Sequence, residues 1–124
     1  MTRFPFKVAI IATLVALLCI FGSAAWPAGP KTHEVLIEGL KFSPATLTIH
    51  RGESVRFKNA DLVPHTATEK TSKLFDSGLM ASGAEWKFVP TQEGTLRYIC
   101  TYHPLMEGSI IVEPPLSSTE APGS

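Results

Sequence analysis

The sequence predicts an all-β chain folded as a sandwich of two packed sheets, and three observations carry that expectation. Apolar and polar side chains alternate with period two through several short runs, Gly- and Pro-containing turn signals separate those runs at regular spacing, and no apolar stripe of helical period competes over a useful length. At 124 residues with 10 Pro and 9 Gly, the chain suits one compact domain with many turns.

Taken in order, the expected strands are Glu34 to Glu38, Thr46 to His50, Ser54 to Asn59, Ala84 to Val89, Thr95 to Cys100 and Ser109 to Glu113. Alternation is clearest in the middle, where Leu47 and Ile49 oppose Thr46, Thr48 and His50, Val55 and Phe57 oppose Arg56 and Lys58, and Trp86 and Phe88 oppose Glu85 and Lys87. Each such strand has one wet face. The turns between them are expected at Ser43-Pro44, Arg51-Gly52, Ser82-Gly83, Gln92 to Gly94 and Glu107-Gly108. The segment Thr68 to Phe75 is long enough for one turn of helix. The core is expected to collect Val35, Ile37, Phe42, Leu47, Ile49, Val55, Phe57, Trp86, Phe88, Leu96, Tyr98, Ile110 and Val112.

The flanks read differently from this middle. Residues 1–25 have the pattern of a secretory signal: Arg3 and Lys7 are basic, Val8 to Phe21 is apolar except for Thr13, and Ser23-Ala-Ala25 offers small residues for cleavage. The apolar run is shorter than the roughly 20 residues of a membrane span, so stable membrane association after cleavage is not expected. An uncleaved N-terminal anchor is the alternative, because signal and anchor runs overlap in this length range. Residues 26–32 read as a Pro/Gly spacer, residues 33–113 as the folded domain, and residues 114–124, rich in Pro, Ser and Gly, as a disordered tail. The whole chain has 11 basic and 11 acidic side chains; losing Arg3 and Lys7 with a leader leaves 9 against 11. Nothing in that balance supplies the basic stripe that nucleic acid requires.

Cys19 would leave with the leader, and Cys100 would then be alone. A lone cysteine in an exported protein has no internal disulfide partner and is a reactive thiol, an intermolecular partner or a ligand. Its neighbourhood favours the last. In Tyr98-Ile-Cys-Thr-Tyr-His-Pro-Leu-Met106 a thiol, an imidazole and a thioether recur three residues apart, at Cys100, His103 and Met106. Alternation places Cys100 on the same face as Leu96 and Tyr98, turned into the core, where a ligand sulfur is shielded. Upstream, Val63-Pro-His-Thr66 offers His65. Two imidazoles, one thiolate and a weak thioether suit copper cycling between Cu(I) and Cu(II), and together they form the His2Cys set with axial Met of a blue-copper electron-transfer site. Zinc is the competitor, but Met is a poor zinc ligand and structural zinc sites generally carry more than one Cys. His33 and His50 are expected on the surface, outside any donor cluster, and Met80 in packing.

At these residues the chain resembles the cupredoxins, the small blue copper proteins, and among them the amicyanin and plastocyanin-like group. The resemblance spans roughly residues 33 to 113 and rests on the upstream Pro-His, the Cys-x-x-His-Pro-x-Met run and the two-residue gap between His103 and Met106. It implies a cupredoxin-like Greek-key β-sandwich with one type 1 copper ion on His65, Cys100, His103 and Met106. In that family the residue after the first ligand is commonly Asn, whose side chain helps tie the two ligand loops together. Here it is Thr66, whose hydroxyl can serve part of that role.

The expected function is therefore that of an exported, monomeric carrier of single electrons between periplasmic redox proteins, which dock near His103. Leu62, Val63, Pro64, Leu79, Pro104 and Leu105 would form an apolar collar around an exposed imidazole edge there. A copper-delivery protein using the same donors is the alternative. An enzyme is not expected, because four ligands leave no open catalytic position and no Ser-His-Asp set or carboxylate pair stands out.

Overall fold

The computed structural model describes Gly22 and residues 29–117, so the expected leader, most of the spacer and the end of the expected tail lie outside the described residues. Eight strands and no helix occur among the described residues: β1 (Thr32–Ile37), β2 (Phe42–Ser43), β3 (Thr46–His50), β4 (Ser54–Asn59), β5 (Thr68–Glu69), β6 (Glu85–Phe88), β7 (Gly94–Cys100) and β8 (His103–Glu113). They form two four-stranded sheets, ordered β2-β1-β4-β6 and β3-β8-β7-β5. β1 runs parallel to β4 and β3 parallel to β8, while the other neighbours are antiparallel. The all-β sandwich expected from alternation is the fold observed.

Its interior is the set of inward positions on both sheets. Val35, Ile37, Phe42, Ile49, Val55, Phe57, Leu96, Tyr98, Ile110 and Val112 are buried, with Leu47, Trp86 and Phe88 half-buried against them. Ala67, Phe75, Met80, Cys100 and Met106 complete the core. Aromatic side chains bridge the layers: Tyr98 lies edge-on to Phe42 at 4.7 Å and to Phe57 at 5.3 Å between ring centroids, the edge-to-face arrangement that ring quadrupoles favour.

Three local expectations are corrected. Glu107-Gly108 is not a turn but lies inside β8, and its glycine has a different cause. Gly108 pairs with Tyr98 across the ladder, and the Tyr98 ring folds over it into the volume that a Cβ would fill. A glycine in a strand interior marks such a close approach. The segment Thr68 to Phe75 holds no helical turn. It contains β5 and a turn wound around the Glu69 carboxylate, which accepts the amides of Thr71 at 2.9 Å, Ser72 at 2.8 Å and Leu74 at 3.3 Å. His33, expected on the surface, is largely covered, with Nε2 2.8 Å from Glu53 Oε2. His50 Nδ1 lies 2.9 Å from the Pro114 carbonyl, so the first residue of the expected tail is held against β3.

Burial opposes ionisation of Glu69, but the three amides outweigh it and hold the carboxyl below the ordinary carboxylate range. A group so depressed stabilises the fold above its unfolded pKa, and that contribution disappears as pH falls through the lowered native value. Glu69→Gln should therefore flatten part of the acid limb of a stability-versus-pH curve measured by urea unfolding. Gly108→Ala should destabilise the sandwich by about 1–3 kcal/mol, the usual cost of overpacking, read as a lower urea midpoint at unchanged slope.

Candidate metal centre

The centre sits at one pole, where the β7–β8 hairpin meets the loop after β4. The two strands pair regularly from Gly94↔Val112 to Ile99↔Glu107, and then the register jumps to Cys100↔His103. Thr101 and Tyr102 make the turn, while Pro104, Leu105 and Met106 face no partner on β7. A ladder broken in this way re-aims its side chains. Cys100 ends β7 fully buried, on the face it shares with Leu96 and Tyr98. Met106 is buried on the face of β8 that also carries Gly108, Ile110 and Val112, whereas His103 at the tip is half-buried.

The third donor arrives on the loop between β4 and β5. Asn59, fully buried at the end of β4, fixes that loop by donating from Nδ2 to the carbonyls of Val63 at 2.9 Å and Met80 at 3.0 Å and by accepting the Asp61 amide at 3.0 Å. His65 and Met80 exchange a pair of backbone hydrogen bonds of 3.1 and 2.8 Å. His65 is consequently fully buried, and Met80 is packed in the core.

Cys100 Sγ lies 3.7 Å from His65 Nδ1 and 3.6 Å from His103 Nδ1, and the three donor atoms fall within 4.8 Å of one another. The two imidazole rings are 5.2 Å apart. Sulfur-to-nitrogen separations of this size span two metal bonds of about 2.3 Å and about 2.0 Å at an open, near-trigonal angle. The donor set therefore fits a borderline-soft ion. His33 and His50 stand apart from it, at the far end of β1 and β3.

The ring of His65 is oriented by a residue that sequence reading missed. Asp61 Oδ2 accepts Nε2–H of His65 at 2.8 Å, which leaves Nδ1 as the free donor. The same carboxylate accepts the amides of Gly39 at 2.7 Å and Leu40 at 3.0 Å, and so holds a tight turn in which Leu40 takes φ 59°, rare for a branched side chain. The Leu40 amide, with further help from Gly39 and His65, keeps Asp61 ionised below the ordinary carboxylate range despite partial burial. An acidic residue four before a Pro-His histidine was the available signal.

Thr66 joins the two ligand-bearing segments. Its amide donates to Cys100 Sγ at 3.4 Å, and its hydroxyl oxygen accepts the Thr101 amide at 2.9 Å. The cross-loop tie expected of an Asn is made here by a hydroxyl. Outside the donors, exposed apolar groups crowd His103. Two shallow depressions of about 400 and 420 Å³ share His103 and Leu40, one completed by Tyr102, Pro104, Leu105 and Met106, the other by Asp61, Leu62 and Val63. Leu105 is 99% and Leu62 93% exposed.

A two-sheet sandwich with a buried cysteine sulfur and two imidazoles at one pole defines a small metal-binding β protein of the copper-site type. The family model of the cupredoxin-like domain matches residues 9–112, and the chain belongs to that family. It is 32% identical over 91 residues to amicyanin-alpha of Methylorubrum extorquens, covering 70% of this chain and 75% of that protein. It is 31% identical over 81 residues to amicyanin of Paracoccus versutus, covering 62% of this chain and 61% of the relative. Among solved structures it resembles a purple cupredoxin from Nitrosopumilus maritimus, with TM-score 0.63 and 28% identity over 65% of this chain and 99% of that one. It also resembles a Cu(I) form of an amicyanin variant, with TM-score 0.63 and 26% identity over 66% and 82%. A copper-containing nitrite reductase from Thermus scotoductus superposes with TM-score 0.65 and 29% identity over 72% of this chain, but over only 24% of the reductase. The family, the copper-bound relative and the donor set support one copper ion as the cofactor.

Removing the acceptor that orients His65 should loosen the site before it loosens the sandwich. Asp61→Ala is expected to weaken copper binding by about 10- to 100-fold, the usual effect of losing a hydrogen-bond partner behind a ligand histidine. Competitive titration against a chelator, with circular dichroism to confirm the fold, measures it.

Proposed function

We propose that the protein is an exported type 1 copper protein that carries single electrons between periplasmic redox partners, with His65, Cys100, His103 and Met106 as ligands. The observation that carries this reading is the convergence of Cys100 Sγ with His65 Nδ1 and His103 Nδ1 directly beneath an exposed apolar face. Bound copper supplies a one-electron Cu(I)/Cu(II) couple.

The protein's own contribution is to hold the donors still. His65 is gripped by Asp61 and the Met80 backbone, and Cys100 lies between the core and the Thr66 amide. Donors fixed in this way change little between oxidation states, and they favour retention of the metal over its delivery. Cys100 is shielded from solvent, which protects a thiolate from oxidation. His103 is the donor nearest the surface, and an electron would pass through its ring edge. Leu40, Leu62, Val63, Tyr102 and Leu105 around it offer a partner an apolar contact free of strong desolvation cost, as small and short-lived redox encounters require.

The protein is a carrier and not an enzyme, and the amicyanin relatives support that reading. Export rests on the signal pattern in residues 1–25, with residues 33–113 as the working domain, and we read the mature protein as a monomer. Among the described residues no helix is long and apolar enough to cross a membrane.

The test is the absorption spectrum of the full chain loaded with Cu(II). An intense visible charge-transfer band is expected and should vanish in Cys100→Ser, in which a neutral hydroxyl replaces the thiolate. Met106→Leu should keep the colour and raise the reduction potential, because losing a weak donor disfavours the more positive ion. A visible band that survived Cys100→Ser would overturn the ligand assignment.

A further inference from the structure

Behind Thr66 lie two side chains, Thr68 and Asp76, that the donor set does not include. Thr66 and Thr68 are both buried, at 5% and 4% exposure. The Thr68 hydroxyl stands 3.1 Å from Thr66 Oγ1 and 3.2 Å from Asp76 Oδ1, with its one proton between the two acceptors. Asp76 Oδ1 is itself fixed by the Gly78 amide at 2.8 Å, and Thr68 and Asp76 face each other across an isolated backbone bridge. Thr66 Oγ1 accepts the Thr101 amide at 2.9 Å, shares the Thr68 proton with the Asp76 carboxylate, and stands 3.2 Å from Thr101 Oγ1, a contact in which either hydroxyl can donate. Three polar partners around this one oxygen favour a single Thr66 rotamer.

We propose that Thr68, oriented by Asp76, is a positioning residue for the copper thiolate: it locks Thr66, so that the Thr66 amide keeps its hydrogen bond to Cys100 Sγ. The proposal rests on the copper reading above. The Thr66 hydroxyl is smaller than an amide side chain and has fewer hydrogen-bonding groups. The tie from Thr66 to Thr101 is backed by one further side-chain hydrogen bond, from Thr68, which holds the Thr66 hydroxyl toward Thr101. Without it, Thr66 gains rotational freedom, and the Thr66 amide and Thr101 drift together.

The sign follows from the sulfur. A hydrogen bond to a thiolate draws off electron density and weakens its donation to the metal, which favours the reduced ion. Loosening that bond should lower the potential and move the sulfur-to-copper band to longer wavelength. Thr68→Val is the direct test, because it removes the hydroxyl at nearly constant shape and leaves the charge unchanged.

In the copper-loaded full chain, Thr68→Val should show the lower potential and the longer-wavelength band, with faster exchange of the Thr66 amide proton by NMR in the Cu(I) form. Thr68→Ser, which restores a hydroxyl, should return all three towards the parent. In the parent Cu(I) protein, the Thr68 hydroxyl proton should be protected from exchange and give a cross-peak to Thr66, a readout that needs no variant to fold. A parent band unmoved by Thr68→Val, a Thr68→Ser shift as large as that of Thr68→Val, or an unprotected Thr68 hydroxyl would each overturn this inference alone. A parent without an intense band would overturn the copper reading and this inference with it.

Discussion

The structure depends on one break in a ladder. β7 and β8 form the longest antiparallel pair, and their register holds until Ile99↔Glu107 before it jumps to Cys100↔His103. Had it continued, Cys100 would pair with Met106 and the tip would be an ordinary hairpin. The jump instead leaves Pro104, Leu105 and Met106 unpaired, and the stretch from His103 to Met106 then supplies a half-buried imidazole, an exposed leucine and a buried sulfur. Below the break the ladder is stiffened by Tyr98 lying over Gly108, so the irregular tip stands on a regular base.

Hydrogen bonds from main-chain amides to carboxylates order the other loops. Asp61, Glu69 and Asp76 each accept backbone amides, and each fixes a segment that has little regular structure. Their acceptor capacity substitutes for the sheet hydrogen bonds that such loops lack. Glu53 does the same at the opposite pole, where burial works against its charge but the His50 amide and the His33 ring prevail.

Much of this was legible in the sequence because period two is unambiguous when one face is wet. The alternation in Thr46–His50 and Ser54–Asn59 fixed both the strands and their inward residues, and both appear with the expected bounds. Strands β2 and β5 were missed because two residues cannot display a period. Gly108 was misread because a glycine after a charged residue looks the same whether it turns the chain or makes room for a ring on the neighbouring strand. The convergence of His65, Cys100 and His103 followed from donor chemistry, and the cupredoxin resemblance supplied the order in which they meet. Asp61, Asn59 and Thr68 escaped notice because their roles lie in contacts between segments, which no local pattern records.

The two-residue strands have a consequence for how the molecule meets its surroundings. β2 and β5 each close one side of a sheet, and the other margins are β6, whose outward side chains are Glu85 and Lys87, and β3, lined by Thr46, Thr48 and His50. Margins that are brief, charged or hydroxyl-bearing give a neighbouring chain little main chain on which to add a strand. With lateral growth discouraged on every side, the leucine-rich pole is left as the favoured place of contact. On the carrier reading proposed above, the molecule would be in effect one-ended, meeting redox partners in turn through that pole.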